Sequence, residues 1–247
     1  MIYVLLPVYN EEDVIEALLD RVQKVLEEAS FEYKIVAVND GSSDKTAEVI
    51  RSCASRMPVH LIDFERNRGV GDVFREGFKY VLDTANDKDI MVSMDADNTH
   101  DPRLIKFMVN RLDEGYEVVI ASCFAPGGML IGVPALRYVC TVACNLLYRI
   151  LFPVRGIKEY TGFYRGYNVG ALRQSVKRFD GRLLESNGFA VMAECLVKLR
   201  RMPLFMTEVP LILRYDHKGE KSKLKVIPTI KEHFRVIWDN VFKRHIL

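Results

Sequence analysis

From residue 2 to residue 122, short apolar runs alternate with longer segments in which every third or fourth residue is apolar. Residues 2–6, 34–39, 59–63, 89–94 and 117–122 are apolar runs of strand length. Between the first two, Val14, Ile15, Leu18, Leu19, Val22, Val25 and Leu26 recur at helical spacing and form one face. Further helices are predicted over 44–56, 70–82 and 102–114. Strands alternating with helices imply βαβ units and an α/β fold, a mostly parallel sheet with helices on both faces. Ligands of such sheets bind beyond the carboxyl ends of the strands. Segments 7–12, 39–46, 65–71 and 95–101 are polar, and each follows a strand directly. The chemistry belongs there.

The second half is patterned differently. A long helix is predicted over 134–152, and residues 160–168 are aromatic and glycine-rich. A helix around 189–200 precedes strand candidates at 204–208 and 211–215. Beyond Asp216 the chain carries eight basic side chains against three acidic ones. There Val226, Ile227, Ile230, Phe234, Ile237, Trp238, Val241 and Phe242 fall on one helical stripe, with Lys231 and Arg235 elsewhere. The expected organisation is one domain over 1–216 followed by a basic amphipathic helix over 217–247. A basic helix bearing Trp suits a membrane interface; the alternatives are packing on the core or on another subunit, as in a homodimer. Leu136, Val139, Cys140, Ala143, Leu147 and Ile150 form a second apolar face on the 134–152 helix.

Composition narrows the class. The 247 residues include 35 basic and 33 acidic side chains, a net charge of +2, which argues against a nucleic-acid partner. The five cysteines include no CxxC pair, so a reducing compartment is expected and neither a disulfide framework nor a zinc site. The longest uncharged run, 118–136, is broken by Pro126-Gly127-Gly128 and by Gly132 and Pro134, so no membrane-spanning helix is expected.

Asp95-Ala96-Asp97 closes the fourth apolar run, and two carboxylates at a strand end can together bind a hard divalent cation such as Mg²⁺ or Mn²⁺. Taken alone, the same pattern describes an ordinary solvated loop. Asn39-Asp40-Gly41-Ser42-Ser43-Asp44 reads either as a capped turn or as a site where Asp40 accepts hydrogen bonds from a base or ribose. In Pro7-Val8-Tyr9-Asn10-Glu11-Glu12, Tyr9 offers a stacking face, while the acids make a poor phosphate cradle. Gly69-Val70-Gly71 lacks the third glycine of a dinucleotide-binding loop, because Phe74 stands in its place.

Taken together and in this order, with Asn67-Arg68-Gly69 between them, these clusters resemble family 2 glycosyltransferases of the GT-A fold. The resemblance continues through Glu185-Ser186-Asn187-Gly188-Phe189, Ala193-Glu194 and Ser222-Lys223-Leu224, and it is nearest the dolichyl- or polyprenyl-phosphate sugar synthases. It implies a nucleotide-sugar half over 1–115 and an acceptor half over 116–216. Pro7, Tyr9, Glu11, Val38 and Asp40 would surround the nucleoside of a GDP- or UDP-linked sugar. Asp95, Ala96 and Asp97 would lie at ribose, metal and diphosphate, with Asp95 and Asp97 as the metal ligands. Arg137 and Lys223 match basic residues near the acceptor phosphate and the diphosphate, and Arg214 is a weaker match.

The resemblance also implies inverting, metal-dependent transfer of one sugar to a polyprenyl phosphate at the cytoplasmic membrane face, with peripheral attachment. A soluble transferase acting on a hydroxyl acceptor is the alternative; it would need a carboxylate base, for which Glu185 and Glu194 are the candidates. A silent nucleotide-sugar-binding protein is the alternative of another class. Two departures stand out: Thr99 occupies a position where those synthases usually carry an amide, and Ser122-Cys123 stands where many have Ser-Arg.

Overall fold

The computed structural model describes residues 1–217 and 226–242. Six strands of the main sheet share one direction: β1 (Ile2–Val8), β2 (Tyr33–Asn39), β3 (Val59–Asp63), β4 (Ile90–Ser93), β5 (Val118–Ser122) and β8 (Met206–Pro210). The seventh, β7 (Arg165–Asn168), runs antiparallel between β4 and β5, giving the order β3-β2-β1-β4-β7-β5-β8. A small second sheet pairs β6 (Met129–Ile131) with β9 (Ile212–Arg214) in parallel. The candidate strand at 211–215 therefore forms, but outside the main sheet.

Alternation along the strands fills two cores. In β1, Tyr3 and Leu5 face the core under α3 (Val70–Thr84), while Ile2, Val4, Leu6 and Val8 face the core under α1 (Ile15–Glu28). Helices α2 (Thr46–Ala54) and α4 (Leu104–Asp113) cover the same side as α1. The opposite side is covered by α3, α6 (Val169–Arg178) and α7 (Val191–Leu199). Both faces of the sheet are thus dry, as the near-continuous apolar strands require.

The 134–152 segment forms α5 (Ala135–Leu151), and the C-terminal segment forms α8 (Val226–Phe242). Helix α8 packs against both α5 and α7. Its apolar residues do not act as one stripe: Val236 is buried and Ile237 and Val241 pack on the core. Ile227, Ile230, Phe234, Trp238 and Phe242 are exposed. Core packing and an unburied apolar face coexist on one helix.

Candidate active site

The four polar segments converge. Pro7 at the end of β1, Tyr9 and Glu11 after it, Asp40 after β2, Asn67 and Gly69 after β3, and Asp95, Ala96 and Asp97 after β4 line one cleft of about 1040 Å³. Local geometry explains each loop. Gly41 adopts φ 63°, and a side chain there would run into the backbone at Arg66 and Asn67. Asp44 accepts the N–H of Thr46 at 3.0 Å, opening α2. Asn10 Oδ1 accepts the N–H of Ser43 at 2.8 Å, and Ser42 Oγ accepts that of Asn10 at 2.8 Å, clasping the first two loops.

Asp40 does more than face the cleft. Its carboxylate accepts the backbone N–H groups of Arg68 at 2.7 Å and Gly69 at 3.0 Å, so it anchors the third loop. Burial raises its pKa, and the two amides oppose that rise. Val38 does not join the cleft. It is fully buried beneath α3, because strand alternation turns it with Val36 into the core.

Asp95 and Asp97 sit on a turn in which Asn98 has φ 61°. Thr99 donates its hydroxyl to Asp97 Oδ1 at 2.6 Å. His100, buried and stacked on Tyr164, accepts the Asp95 N–H through Nδ1 at 3.1 Å. With Nδ1 accepting, the neutral ring carries its proton on Nε2, which lies 3.7 Å from Asp95 Oδ2. Among the described residues no three His, Cys, Asp or Glu side chains converge on an ion. Two carboxylate-bearing residues in an open cleft fit a hard cation that completes its shell with water and substrate phosphate, the habit of Mg²⁺.

The residues expected near the acceptor are reached by other elements. Arg137, on the first turn of α5, donates to the Tyr215 hydroxyl at 2.9 Å and lies over its ring. It lines the same cleft. Lys223 lies outside the described residues. Arg214 is held by Asp216 and does not line the cleft. Apolar side chains of α5 and α8, including Leu136, Leu147, Ile230 and Phe234, complete the lining.

Neither Glu185 nor Glu194 reaches this cleft. Glu194 is buried, accepting the N–H groups of Glu185 at 3.0 Å and Ser186 at 2.7 Å and pairing with Lys198 at 2.7 Å. Glu185 pairs with the same ammonium. They brace the 184–189 loop, which packs so closely on α3 that a side chain at Gly71 would overlap Ser186 O. Arg75 adds bonds to Leu184 O at 3.3 Å and Ser186 O at 3.0 Å.

Two cleft residues, Glu159 and His233, carry no distinctive sequence signal, whereas Cys123 stands out as a departure from the resemblance. Glu159 is buried and accepts Thr161 N–H, Thr161 O–H and Gly162 N–H at 2.9–3.0 Å through Oε1; burial raises its pKa. His233 of α8 bonds the Tyr148 hydroxyl at 3.0 Å, and burial lowers its pKa to about 4. Cys123 has its thiol raised to about 12, chiefly by burial, so it is not a reactive thiolate.

Residues 3–175 match the family model described as glycosyl transferase family 2. The chain belongs to that family. It is 32% identical over 237 residues to the dolichol-phosphate mannosyltransferase of Pyrococcus furiosus, covering 95% of this chain and 62% of that protein. It is 26% identical to the undecaprenyl-phosphate mannosyltransferase of Micrococcus luteus, covering 88% of this chain and 85% of the relative. The glucosyl-3-phosphoglycerate synthase of Mycobacterium tuberculosis, solved with Mn²⁺, UDP and phosphoglyceric acid, superposes with a TM-score of 0.68. That likeness covers 99% of this chain and 78% of the other at 19% identity, and it establishes the GT-A-like fold. The chain thus spans less than two thirds of the Pyrococcus relative's length.

Proposed function

We propose that this protein transfers a single sugar from a GDP- or UDP-linked donor to the phosphate of a polyprenyl phosphate, with inversion and with Mg²⁺ or Mn²⁺ bound at Asp95 and Asp97. The observation that carries the reading is one cleft whose lining passes from strand-end carboxylates to apolar faces of α5 and α8, with Arg137 among them. A phosphorylated end and a long hydrocarbon need that combination. The named prenyl-phosphate transferases among the relatives support it.

Tyr9 and the loops clasped by Asn10 and Asp40 hold the nucleoside. Asp95 and Asp97 hold the divalent cation, which when bound offsets charge on the nucleoside diphosphate as it leaves. Arg137 orients the acceptor phosphate. A phosphate monoester oxygen is ionised near neutral pH, so it attacks the anomeric carbon without a base, and the bonding pair of the broken C–O bond departs with the diphosphate. Glu185 and Glu194, the bases expected for a hydroxyl acceptor, do not line the cleft.

Among the described residues no helix is long and apolar enough to cross a membrane. Peripheral attachment through the exposed apolar residues of α5 and α8 would bring the cleft to a lipid-borne acceptor at the cytoplasmic face. The catalytic assignment is tested by Asp97→Ala, which is expected to abolish transfer to polyprenyl phosphate while leaving thermal unfolding unchanged. Near-normal turnover in the folded variant would reject it.

A further inference from the structure

The last turn of α5 and the segment returning from it enclose a second cavity of about 350 Å³, separate from the active-site lining. Its lining includes Leu146, Ile150, Pro153, Val154, Ile157 and Tyr160. The Tyr160 hydroxyl is committed to Phe152 O at 2.8 Å and Val154 N at 3.1 Å. Two cations also line the cavity, Arg149 and Lys158, and no carboxylate does. Neither cation forms an ion pair within the described residues. Glu159, beside Lys158 in sequence, lines the active-site cleft and holds Thr161 and Gly162 instead.

Arg149 stands where a cation offsets the helix dipole, but Lys158 comes from the returning segment and the dipole gives no reason for it. The cavity also continues an exposed surface. Leu136, Val139, Ala143, Leu146 and Ile150 follow one another at spacings of three and four along α5, all exposed; Leu136 and Ala143 also line the active-site cleft, and the last two enter the cavity wall. An apolar stripe ending at two cations that form no ion pair among the described residues matches a molecule with a hydrocarbon part and an anionic head. The Glu208 carboxylate beside them is taken up by the backbone N–H groups of Lys158 at 2.6 Å and Glu159 at 2.7 Å. The volume falls at the lower end of small-ligand pockets, about 300–1,000 Å³.

We propose that this cavity binds the phosphodiester headgroup of an anionic membrane lipid, with Arg149 and Lys158 on the phosphate and the first acyl carbons along Leu146 and Ile150. The site is distinct from the acceptor's. It rests on the peripheral attachment proposed above, and it would fix how α5 lies on the bilayer. Anchoring there orients the active-site cleft toward the lipid surface.

The test is partitioning of the full chain onto vesicles of phosphatidylcholine, alone or mixed with phosphatidylglycerol. Trp238, the sole tryptophan and exposed on α8, reports insertion by a blue shift of its emission. Arg149→Gln/Lys158→Gln is expected to weaken binding to the mixed vesicles by on the order of 30-fold. The Trp238 shift on the vesicles that remain bound should persist. Lys79→Gln/Lys106→Gln, which removes the same charge from exposed sites on α3 and α4, should weaken it only a few-fold. Equal losses in the two pairs, or wild-type partitioning in the first pair, would overturn the cavity site while leaving membrane attachment standing. Displacement from the mixed vesicles by soluble glycerol phosphate would assign the cavity to a free phosphate and overturn the lipid. Absence of both vesicle binding and a Trp238 shift in the wild type would remove the attachment itself, and the site with it.

Discussion

The hydroxyl of Thr99 donates to Asp97 Oδ1 at 2.6 Å, and the Thr99 N–H reaches the same oxygen at 3.2 Å. A short side chain thereby fixes the carboxylate assigned to the metal, at a position where the resemblance leads one to expect an amide. Thr99→Val keeps the branched shape and removes the donor. Loss of one hydrogen bond to a charged group, ~1.5 kcal/mol, is expected to lower kcat/KM about tenfold and to raise the metal concentration needed for half-activity. Thr99→Ser should restore both, which steady-state kinetics across a metal titration would show.

Lys198 joins Glu194 and Glu185 at 2.7 Å each and also donates to Arg182 O. Both Lys198 and Glu194 have side chains less than a tenth exposed. Lys198→Met would strand a buried carboxylate, at a cost of about 3–5 kcal/mol in unfolding free energy. Denaturant unfolding measures it. Lys198→Met/Glu194→Gln should recover part of the loss, since the stranded charge is then gone.

His233 carries a pH dependence of defined sign. Burial lowers its folded pKa to about 4 from the ordinary 6.5, so between these values the unfolded chain binds the extra proton. Stability from this group therefore holds above pH 6.5 and is lost as pH falls toward 4. The stability difference between wild type and His233→Gln should be constant above the upper value and shrink below it. Urea midpoints across that range would test this, and a difference independent of pH would contradict it.

Glu159 separates the two acceptor chemistries. Its Oε1 accepts three hydrogen bonds, which a glutamine carbonyl can also accept. With a phosphate acceptor, Glu159→Gln should keep transfer within about threefold and leave the pH profile unmoved. With a hydroxyl acceptor deprotonated by this group, the loss would be about 10²-fold or more and the acidic limb of the profile would change.

Residues 1–115 were largely legible because their strands and helices each carry a clean period. The strand-end loops then brought Asp40, Asp95 and Asp97 to one cleft without further assumption. Strand β7 was not legible. Arg165-Gly166-Tyr167-Asn168 shows no apolar alternation, and its first residue is fully buried only because Tyr160 O, Gly162 O and Met192 O accept from its guanidinium at 2.6–2.9 Å. Two of those acceptors lie in the segment just before the strand, and Met192 O comes from elsewhere in the fold. Strand β6 and β9 are three residues each and exist by pairing with one another. The side chain of Val38 lies off the cleft for the reverse reason: its neighbours in sequence are at the site, but its direction follows the pleat. Glu185 and Glu194 read as candidate bases because pattern alone does not reveal that Lys198 and two backbone amides hold them.

The central claim is best tested by incubating the protein with a panel of GDP- and UDP-sugars, a polyprenyl monophosphate and Mg²⁺ or Mn²⁺, and following the lipid by mass spectrometry. The expected result is a polyprenyl phosphate heavier by a single sugar, formed from one donor, absent after chelation and absent with Asp97→Ala. Donor hydrolysis without any glycosylated lipid, or transfer to a free hydroxyl acceptor in its place, would contradict the prenyl-phosphate assignment.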